Sequence, residues 1–199
     1  MGTEKRLFPK LAEILRPVKT GNVEVDIMDY TQGDLSFREI LSGLQREKYA
    51  RLRIDGQTMM SETPMEHRTN SAFVISAFGD VLIGGLGLGM IVLAIQDNEA
   101  VKSITVLEKS ADVIAAVAHQ LPLNSKVRIV EADVFTWKPD RKFDAVYMDI
   151  WYYPDEEAYE EMKQLKRKYG HYLKPLMVSP NRFNWCWGEY YAKTGYRLI

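Results

Sequence analysis

Polar and apolar positions in the first sixty residues repeat mostly with the two-residue period of a β-strand. Residues 23–28 alternate in this way, and so do residues 49–54. Asp55-Gly56 is typical of a tight turn, so residues 57–60 are predicted to return as the second arm of a hairpin. Residues 4–15 instead carry apolar side chains at helical spacing. We therefore expect a helix followed by a small antiparallel sheet.

Two residue patterns typical of helix N-termini occur in this part of the chain. Asp34 or Ser36 precedes a short apolar stretch and is predicted to cap a short helix. Thr63 is followed by Pro64, a residue pair that favours a helix N-cap and the first helical position. The second helix is predicted to cover residues 64–78.

From residue 63 onward, strand and helix patterns alternate, which predicts βαβ units and an α/β fold with a parallel sheet. The predicted strands cover residues 81–83, 103–107, 127–130 and 143–150, and the predicted helices cover residues 89–96, 111–120 and 155–169. Residues 176–178 are apolar and are predicted as a fifth strand. We divide the chain into an N-terminal part, residues 1–62, with a helix and antiparallel strands, and a Rossmann-like domain, residues 63–199.

A glycine turn follows the first strand of this second part. Gly85, Gly87 and Gly89 are separated by single leucines, giving the pattern G-x-G-x-G. A strand, a glycine turn and a helix bring backbone N–H groups close to a nucleotide-like ligand. Glycine suits this place because a Cβ would hold the ligand away. A dinucleotide fingerprint would need a third glycine where Met90 stands. A tight turn that binds no ligand is the alternative.

The G-x-G-x-G turn resembles the first motif of class I S-adenosylmethionine-dependent methyltransferases and of their relatives, the spermidine synthases. Ile83, where many methyltransferases carry an acid, the hairpin at residues 52–56 and the segment 60–62 favour the spermidine-synthase-like branch. The resemblance covers about residues 49–169. Segments 60–66, 149–151 and 185–188 also resemble those of a group of small bacterial and phage proteins.

The resemblance implies a class I methyltransferase sheet, which usually has seven strands. The chain has little room for the last two, so the sheet is expected to be abbreviated at the C-terminus or completed by the N-terminal part. Aminopropyltransferases carry an acid where this chain has Leu88, and a second acid in the segment that here runs from Asp149 to Pro154. Without these acids, binding of a polyamine has less support.

Three acids follow the ends of successive predicted strands, where an open parallel sheet binds its ligand. Glu108 stands about 20 residues after the glycine turn, where an acid can accept both ribose hydroxyls. Asp133 is placed to accept from an adenine amino group, with Val134 against the ring. Asp149 is predicted to orient the acceptor nucleophile and is the candidate catalytic residue.

The predicted cofactor is S-adenosylmethionine or its decarboxylated form. The predicted cofactor-binding residues are Gly85, Leu86, Gly87, Gly89, Glu108, Lys109, Asp133, Val134 and Asp149. The predicted substrate-pocket residues are Glu62, Trp151, Tyr152 and Tyr153. An aromatic face can hold an ammonium group, although packing under the last helix or at a dimer interface is the alternative for these rings.

Composition narrows the classes of partner. The 26 basic and 27 acidic residues nearly balance, so a small-molecule substrate is favoured over nucleic acid, and no membrane is expected. The single cysteine excludes an intrachain disulfide, and with no signal-peptide pattern at the start a cytoplasmic protein is expected. The three histidines lack metal-ligand spacing, so no metal is predicted. The aromatic C-terminus is compatible with a homodimer.

Three functions remain open at this point. The first is methyl transfer from S-adenosylmethionine to an unidentified acceptor. The second is aminopropyl transfer from the decarboxylated cofactor, as the resemblance to spermidine synthases implies. The third is a non-catalytic binding protein that retains the fold.

Overall fold

The alternating segments near the N-terminus form an antiparallel sheet of four strands. In the computed structural model, which describes residues 6–196, these strands lie side by side in chain order: β1 (Val18–Thr20), β2 (Val23–Asp29), β3 (Lys48–Ile54) and β4 (Gln57–Ser61). Asp55 and Gly56 both have positive φ angles, as the two central residues of a primed hairpin turn do. The predicted hairpin is therefore confirmed.

The second sheet has five strands, and all of its neighbouring strands run parallel. In spatial order they are β7 (Val127–Glu131), β6 (Val101–Glu108), β5 (Gly79–Gly84), β8 (Ala145–Met148) and β9 (Phe183–Cys186). The first of them in sequence, β5, is central, and the chain crosses to β6 and β7 on one side before returning to β8 and β9 on the other. This is a doubly wound, Rossmann-like order, and it confirms the predicted α/β class.

Helices connect and cover the strands. They are α1 (Leu11–Ile14), α2 (Phe37–Leu41), α3 (Pro64–Ser76), α4 (Met90–Gln96), α5 (Ala111–Val117), α6 (Glu156–Gly170) and α7 (Glu189–Thr194), with a 3₁₀ turn at Ala118–Gln120. Of the two predicted caps for α2, Ser36 is the one used, and with Glu39 it forms a capping box.

The central strand β5 contributes to two hydrophobic cores. Val81 and Ile83 pack into a core shared with α3, α4, α5 and the N-terminal sheet, whereas Leu82 packs into a core under α6. Successive side chains of a strand point to opposite faces, so a strand covered on both faces must be apolar throughout. This accounts for the unbroken apolar run before the glycine turn.

Three sequence predictions need correction. Within residues 6–15 only Leu11–Ile14 is helical, because Pro9 has no N–H and disfavours helix before it; residues 4 and 5 lie outside the described part. Helix α3 ends at Ser76, two residues before its predicted end. Residues 176–178 are not a strand: the carbonyl oxygen of Pro175 accepts from the N–H groups of Val178 and Ser179, which makes a turn.

The parallel sheet has five strands within residues 6–196, and the N-terminal strands form a sheet of their own rather than extending it. Of the two predicted alternatives, the abbreviated sheet is the one observed. The division between residues 62 and 63 falls between β4 and α3 and stays a prediction. None of the helices in the described part of the chain has the length and hydropathy needed to span a membrane.

Candidate ligand-binding site

The turn between β5 and α4 depends on glycine at three positions. Gly85, Gly87 and Gly89 all have positive φ angles. A Cβ on Gly85 would collide with the backbone oxygen of Asp149, and one on Gly87 would collide with the sulfur of Met60. A Cβ on Gly89 would instead meet the side chain of Leu121. All three glycines thus allow close packing of the turn against neighbouring parts of the chain.

A cavity of about 340 Å³ lies at the carboxyl ends of the parallel strands, where ligands bind in open α/β sheets. It brings together most of the predicted site residues: Gly85, Leu86, Gly87, Glu108, Lys109, Asp133, Val134, Asp149, Trp151 and Tyr152. Gly89, Glu62 and Tyr153 do not line it. This volume lies at the lower end of the range for small-molecule sites.

Glu108, at the end of β6, is held beside the glycine turn. Its Oε2 accepts a hydrogen bond from the backbone N–H of Leu86 at 3.0 Å, and its Oε1 accepts from the N–H of Ser110 at 2.9 Å. Each carboxylate oxygen has a second lone pair, so a fixed carboxylate of this kind can also accept from ligand hydroxyl groups.

Asp133 lies in the loop after β7 and is held on one side only. Its Oδ1 accepts from the backbone N–H of Phe135 at 2.7 Å, and Oδ2 has no donor among the described residues. The neighbouring Val134 is buried, and its carbonyl oxygen accepts from the hydroxyl of Tyr169 at 2.7 Å and from Nζ of Lys168 at 2.8 Å. The backbone of this loop is therefore anchored to α6, while one oxygen of Asp133 remains available.

Asp149 follows β8, and its backbone N–H donates to the carbonyl oxygen of Gly84 at 2.8 Å. Its carboxylate lines the cavity and has no donor among the described residues. Removal from bulk water raises the pKa of Asp149 to about 7. A carboxyl group with such a pKa can accept or release a proton near neutral pH.

Glu66 is a cavity residue to which the sequence analysis assigns no role. It lies in the first turn of α3, is 8% exposed and lines the cavity together with Asp149. Burial and the negative charge of Asp149 raise the pKa of Glu66 to about 8. A sequence signal was present, because Glu66 shares a helix face with Asn70 and Phe73 and so falls on the buried side.

The remaining wall comes from aromatic and N-terminal residues. Trp151 is oriented by its ring N–H, which donates to Oε2 of Glu161 at 2.7 Å. Trp187 is buried and donates from its ring N–H to Oγ1 of Thr69 at 3.0 Å. The N-terminal sheet supplies a further apolar side, formed by Leu52, Ile54, Met59 and Met60. Neither Trp187 nor this contribution of the hairpin was predicted from the sequence.

Glu62 and Tyr153 require correction as predicted pocket residues. Glu62 is fully buried away from the cavity lining, and its carboxylate accepts from the backbone N–H groups of Leu11 at 2.6 Å, Ala12 at 2.8 Å and Ala50 at 3.2 Å. Its role is to hold the N-terminal segment against β3. Tyr153 is half-exposed and lies outside the cavity lining.

Comparison with known proteins gives one limited sequence match. No protein-family model matches the chain. Over 72 residues it is 29% identical to a tRNA1(Val) (adenine(37)-N6)-methyltransferase of Glaesserella parasuis serovar 5 (strain SH0165), a match that covers 35% of this chain and 31% of that enzyme. The matched segment therefore spans less than a third of the relative's length.

Several solved structures are similar over about half of the chain. They include the N-methyltransferase NodS from Bradyrhizobium japonicum WM9, with 16% identity, 56% of this chain and 64% of that chain covered, and a TM-score of 0.46. DhpI in its SAH complex has 22% identity, 55% coverage of each chain and a TM-score of 0.41. SAM-bound CalS10, an amino pentose methyltransferase from Micromonospora echinaspora, is 21% identical with a TM-score of 0.40. The similarity covers 54% of this chain and 43% of CalS10. The fold assignment rests on the strand order described above.

Proposed function

We propose that this chain is a methyltransferase that uses S-adenosylmethionine and transfers the methyl group to an acceptor not yet identified. One observation carries the proposal: a single cavity at the carboxyl ends of the strands is lined by Gly85, Gly87, Glu108, Asp133 and Asp149. The match over 72 residues to a tRNA methyltransferase adds support for methyl transfer. The near-balance of charge favours a small-molecule acceptor.

The residues present fit an adenosyl cofactor. Gly85 and Gly87 bring the backbone of the turn to the cavity wall with no side chain in between, so backbone groups can approach a ligand closely. Glu108 offers acceptor positions suited to ribose hydroxyls, and the free oxygen of Asp133 suits an adenine amino group, with Val134 as an apolar surface for the ring. When bound, the cofactor supplies an electrophilic methyl group.

The chain's own contribution to the reaction would be positioning and control of one proton. Positioning two reactants can contribute up to roughly 7–11 kcal/mol. The carboxylate of Asp149 can accept a hydrogen bond from the acceptor and take up its proton, because its pKa of about 7 lies near the working pH. The apolar wall from the N-terminal sheet lines the same cavity as that carboxylate.

A second candidate is aminopropyl transfer from decarboxylated S-adenosylmethionine, as expected for the spermidine-synthase-like branch. One observation favours it. The segment after Asp149 lacks the second acid of aminopropyltransferases, but Glu66 supplies another carboxylate to the same cavity. Binding of the decarboxylated cofactor more than tenfold tighter than S-adenosylmethionine would select this candidate.

Calorimetry with S-adenosylmethionine and S-adenosylhomocysteine tests the proposed function. Glu108→Ala should weaken binding by roughly 1.5–3 kcal/mol, the range for hydrogen bonds to charged groups. Gly87→Val should abolish binding, because the side chain would displace Met60. Gly33→Val is the matched control, since Gly33 also has a positive φ angle but no neighbouring atom within 4 Å of its Cβ position.

The outcomes separate the candidates. Binding by the wild type and by Gly33→Val, but not by Gly87→Val, supports an adenosyl site at the glycine turn. Equal binding by all of these variants would assign the turn a structural role only. Failure of the wild type to bind either cofactor form would favour a non-catalytic binding protein.

A further inference from the structure

Two carboxylates from distant parts of the sequence reach one cavity. Glu66 lies on α3 and Asp149 follows β8, and both line the space between the parallel sheet and the N-terminal sheet. Their charges interact directly, since the charge of Asp149 is one cause of the raised pKa of Glu66. The cavity therefore contains a pair of acids rather than one.

Neither carboxylate has a partner among the described residues. Glu66 is more than nine-tenths buried, and the hydrogen bonds made by this residue use its backbone oxygen, which accepts from Nδ2 of Asn70 at 3.1 Å. Two nearby polar side chains are hydrogen-bonded to each other and not to Glu66: the hydroxyl of Tyr147 donates to Oδ1 of Asn70 at 2.8 Å. Neither carboxylate is among the enclosed polar groups without a partner in the described part of the chain, so their oxygens are accessible from the cavity and can accept from a ligand.

The surrounding charges do not neutralise the pair. The other ionisable residues that line the cavity are Glu108, Lys109, Asp133, Tyr152 and Glu161, and Tyr147 on β8 lies near both members of the pair. Lys109 is the one lysine or arginine among the described residues that line the cavity. Burial raises the pKa values of both Glu66 and Asp149, and the negative charge of Asp149 raises the pKa of Glu66 further.

Two carboxylates in one cavity cannot both be ionised at little cost, because each negative charge disfavours the other. Near neutral pH the pair is expected to keep one proton and one negative charge, and to titrate as a unit in two steps. Trp151 and Trp187 line the same cavity, and aromatic faces attract cations. The described residues offer no group of three or more His, Cys, Asp and Glu side chains that could hold a metal ion.

We propose that Glu66 and Asp149, which line one cavity, together form a subsite for a single alkylammonium group. The ionised carboxylate neutralises the ammonium, the protonated one can accept a hydrogen bond from it through its carbonyl oxygen, and the indole rings supply the apolar surroundings. When the ammonium must become a free amine, its N–H proton passes to the ionised carboxylate and the nitrogen keeps its electron pair.

Two sources could provide this group. One is an acceptor amine, which would make the acceptor of the proposed transferase a primary or secondary alkylamine; this assignment rests on the proposed function. The other is the α-ammonium of the cofactor itself. Binding of a simple amine to the free protein does not depend on which source is correct. The subsite can therefore be tested independently of the proposed function.

The probes are n-butylammonium, its neutral counterpart 1-butanol, S-adenosylhomocysteine, and 5′-methylthioadenosine, which lacks the ammonium group. Binding is followed by NMR at pH 7 for the wild type, Glu66→Gln, Asp149→Asn and the control Glu157→Gln, which removes an exposed carboxylate on α6. The subsite predicts that n-butylammonium binds at least tenfold tighter than 1-butanol. Both cavity variants should lose this preference and the control should keep it.

Competition distinguishes the two sources. If the pair receives an acceptor, n-butylammonium binds protein saturated with S-adenosylhomocysteine, and Glu66→Gln leaves S-adenosylhomocysteine affinity unchanged. If the pair receives the cofactor ammonium, S-adenosylhomocysteine excludes n-butylammonium, whereas 5′-methylthioadenosine does not. If no adenosyl compound bound the wild type, the proposed function would be overturned. The comparison of n-butylammonium with 1-butanol would still test the carboxylate subsite.

Carboxyl NMR titration provides a readout independent of ligand binding. The wild type should show two coupled steps for Glu66 and Asp149, and Asp149→Asn should leave one step for Glu66 at a lower pH, because the negative charge of Asp149 is gone. Equal binding of n-butylammonium and 1-butanol, or a Glu66 titration unaffected by Asp149→Asn, would overturn the proposal.

Discussion

At the scale of single residues, the buried carboxyl group of Glu66 makes stability depend on pH. Its pKa is about 8 in the folded chain and near 4.5 in the unfolded chain, so the folded state binds more protons between these values. Stability is then unaffected by this group below pH 4.5, falls as the pH rises towards 8, and carries the full penalty above 8.

Glu66→Gln should therefore raise the free energy of unfolding at pH 9 and have little effect at pH 4. The gain at alkaline pH is expected to be on the order of a few kcal/mol, from 1.36 kcal/mol per pKa unit. Urea unfolding at pH 4, 7 and 9 measures it, with the exposed Glu157→Gln as the control. A variant whose stability falls with pH as steeply as that of the wild type would show that Glu66 ionises without cost.

The sequence predicts some site residues better than others for a physical reason. Gly85, Gly87, Glu108 and Asp149 each lie at the end of a strand, and the ends of parallel strands must meet at one edge. Glu66 and Trp187 reach the cavity only through tertiary packing of α3 and of the segment after β9. Glu62 is instead a predicted pocket residue that does not reach the cavity. Its neighbours in sequence are close to the pocket, but its carboxylate accepts hydrogen bonds from buried backbone N–H groups.

At the scale of elements, segments with a clear period were predicted and the short C-terminal ones were not. The strands of the hairpin and β5 to β8 follow their apolar patterns, with ends shifted by a few residues. Strand β9 was missed because Asn184 and Trp185 make it look polar and aromatic rather than aliphatic. Residues 176–178 are apolar, but they lie in a turn between two prolines and are exposed.

Helix α6 offers a test at this scale, because it covers the second core and carries Glu161 into the cavity wall. Asp155 caps it: Oδ1 accepts from the backbone N–H of Ala158 at 2.9 Å. Asp155→Ala should lower the free energy of unfolding by about 0.5–2 kcal/mol, the usual cost of a lost N-cap. Urea unfolding measures this change. A loss no larger than that of Glu99→Ala, which removes an exposed carboxylate outside any helix, would contradict the role of the cap.

At the scale of the whole molecule, the N-terminal sheet and the parallel sheet are parts of one site. One hydrophobic core contains Val23 and Val25 from the first sheet together with Val81 and Ile83 from the second. The sulfur of Met60 accepts from the backbone N–H of Leu88 at 3.3 Å, so the hairpin lies against the glycine turn. The cavity has an apolar side only because the two sheets are packed together.

Glu62 tests this dependence, because its carboxylate joins α1, β3 and the connection that leads into α3. Glu62→Ala would leave the N–H groups of Leu11, Ala12 and Ala50 without their acceptor. The free energy of unfolding should fall by roughly 2–4 kcal/mol, since an unsatisfied buried donor costs about 1–3 kcal/mol and water can reach some of them.

Hydrogen exchange locates the effect of this substitution. In Glu62→Ala the amides of Leu11, Ala12 and Ala50 should exchange faster, whereas those of β5 and β6 should change only as far as global stability falls. Glu62→Gln, which keeps the shape and one acceptor oxygen, should have an intermediate effect. If Glu62→Ala instead matched Glu99→Ala in both stability and exchange, the N-terminal segment would be held by its apolar contacts alone, and Glu62 would again be available for a role at the cavity.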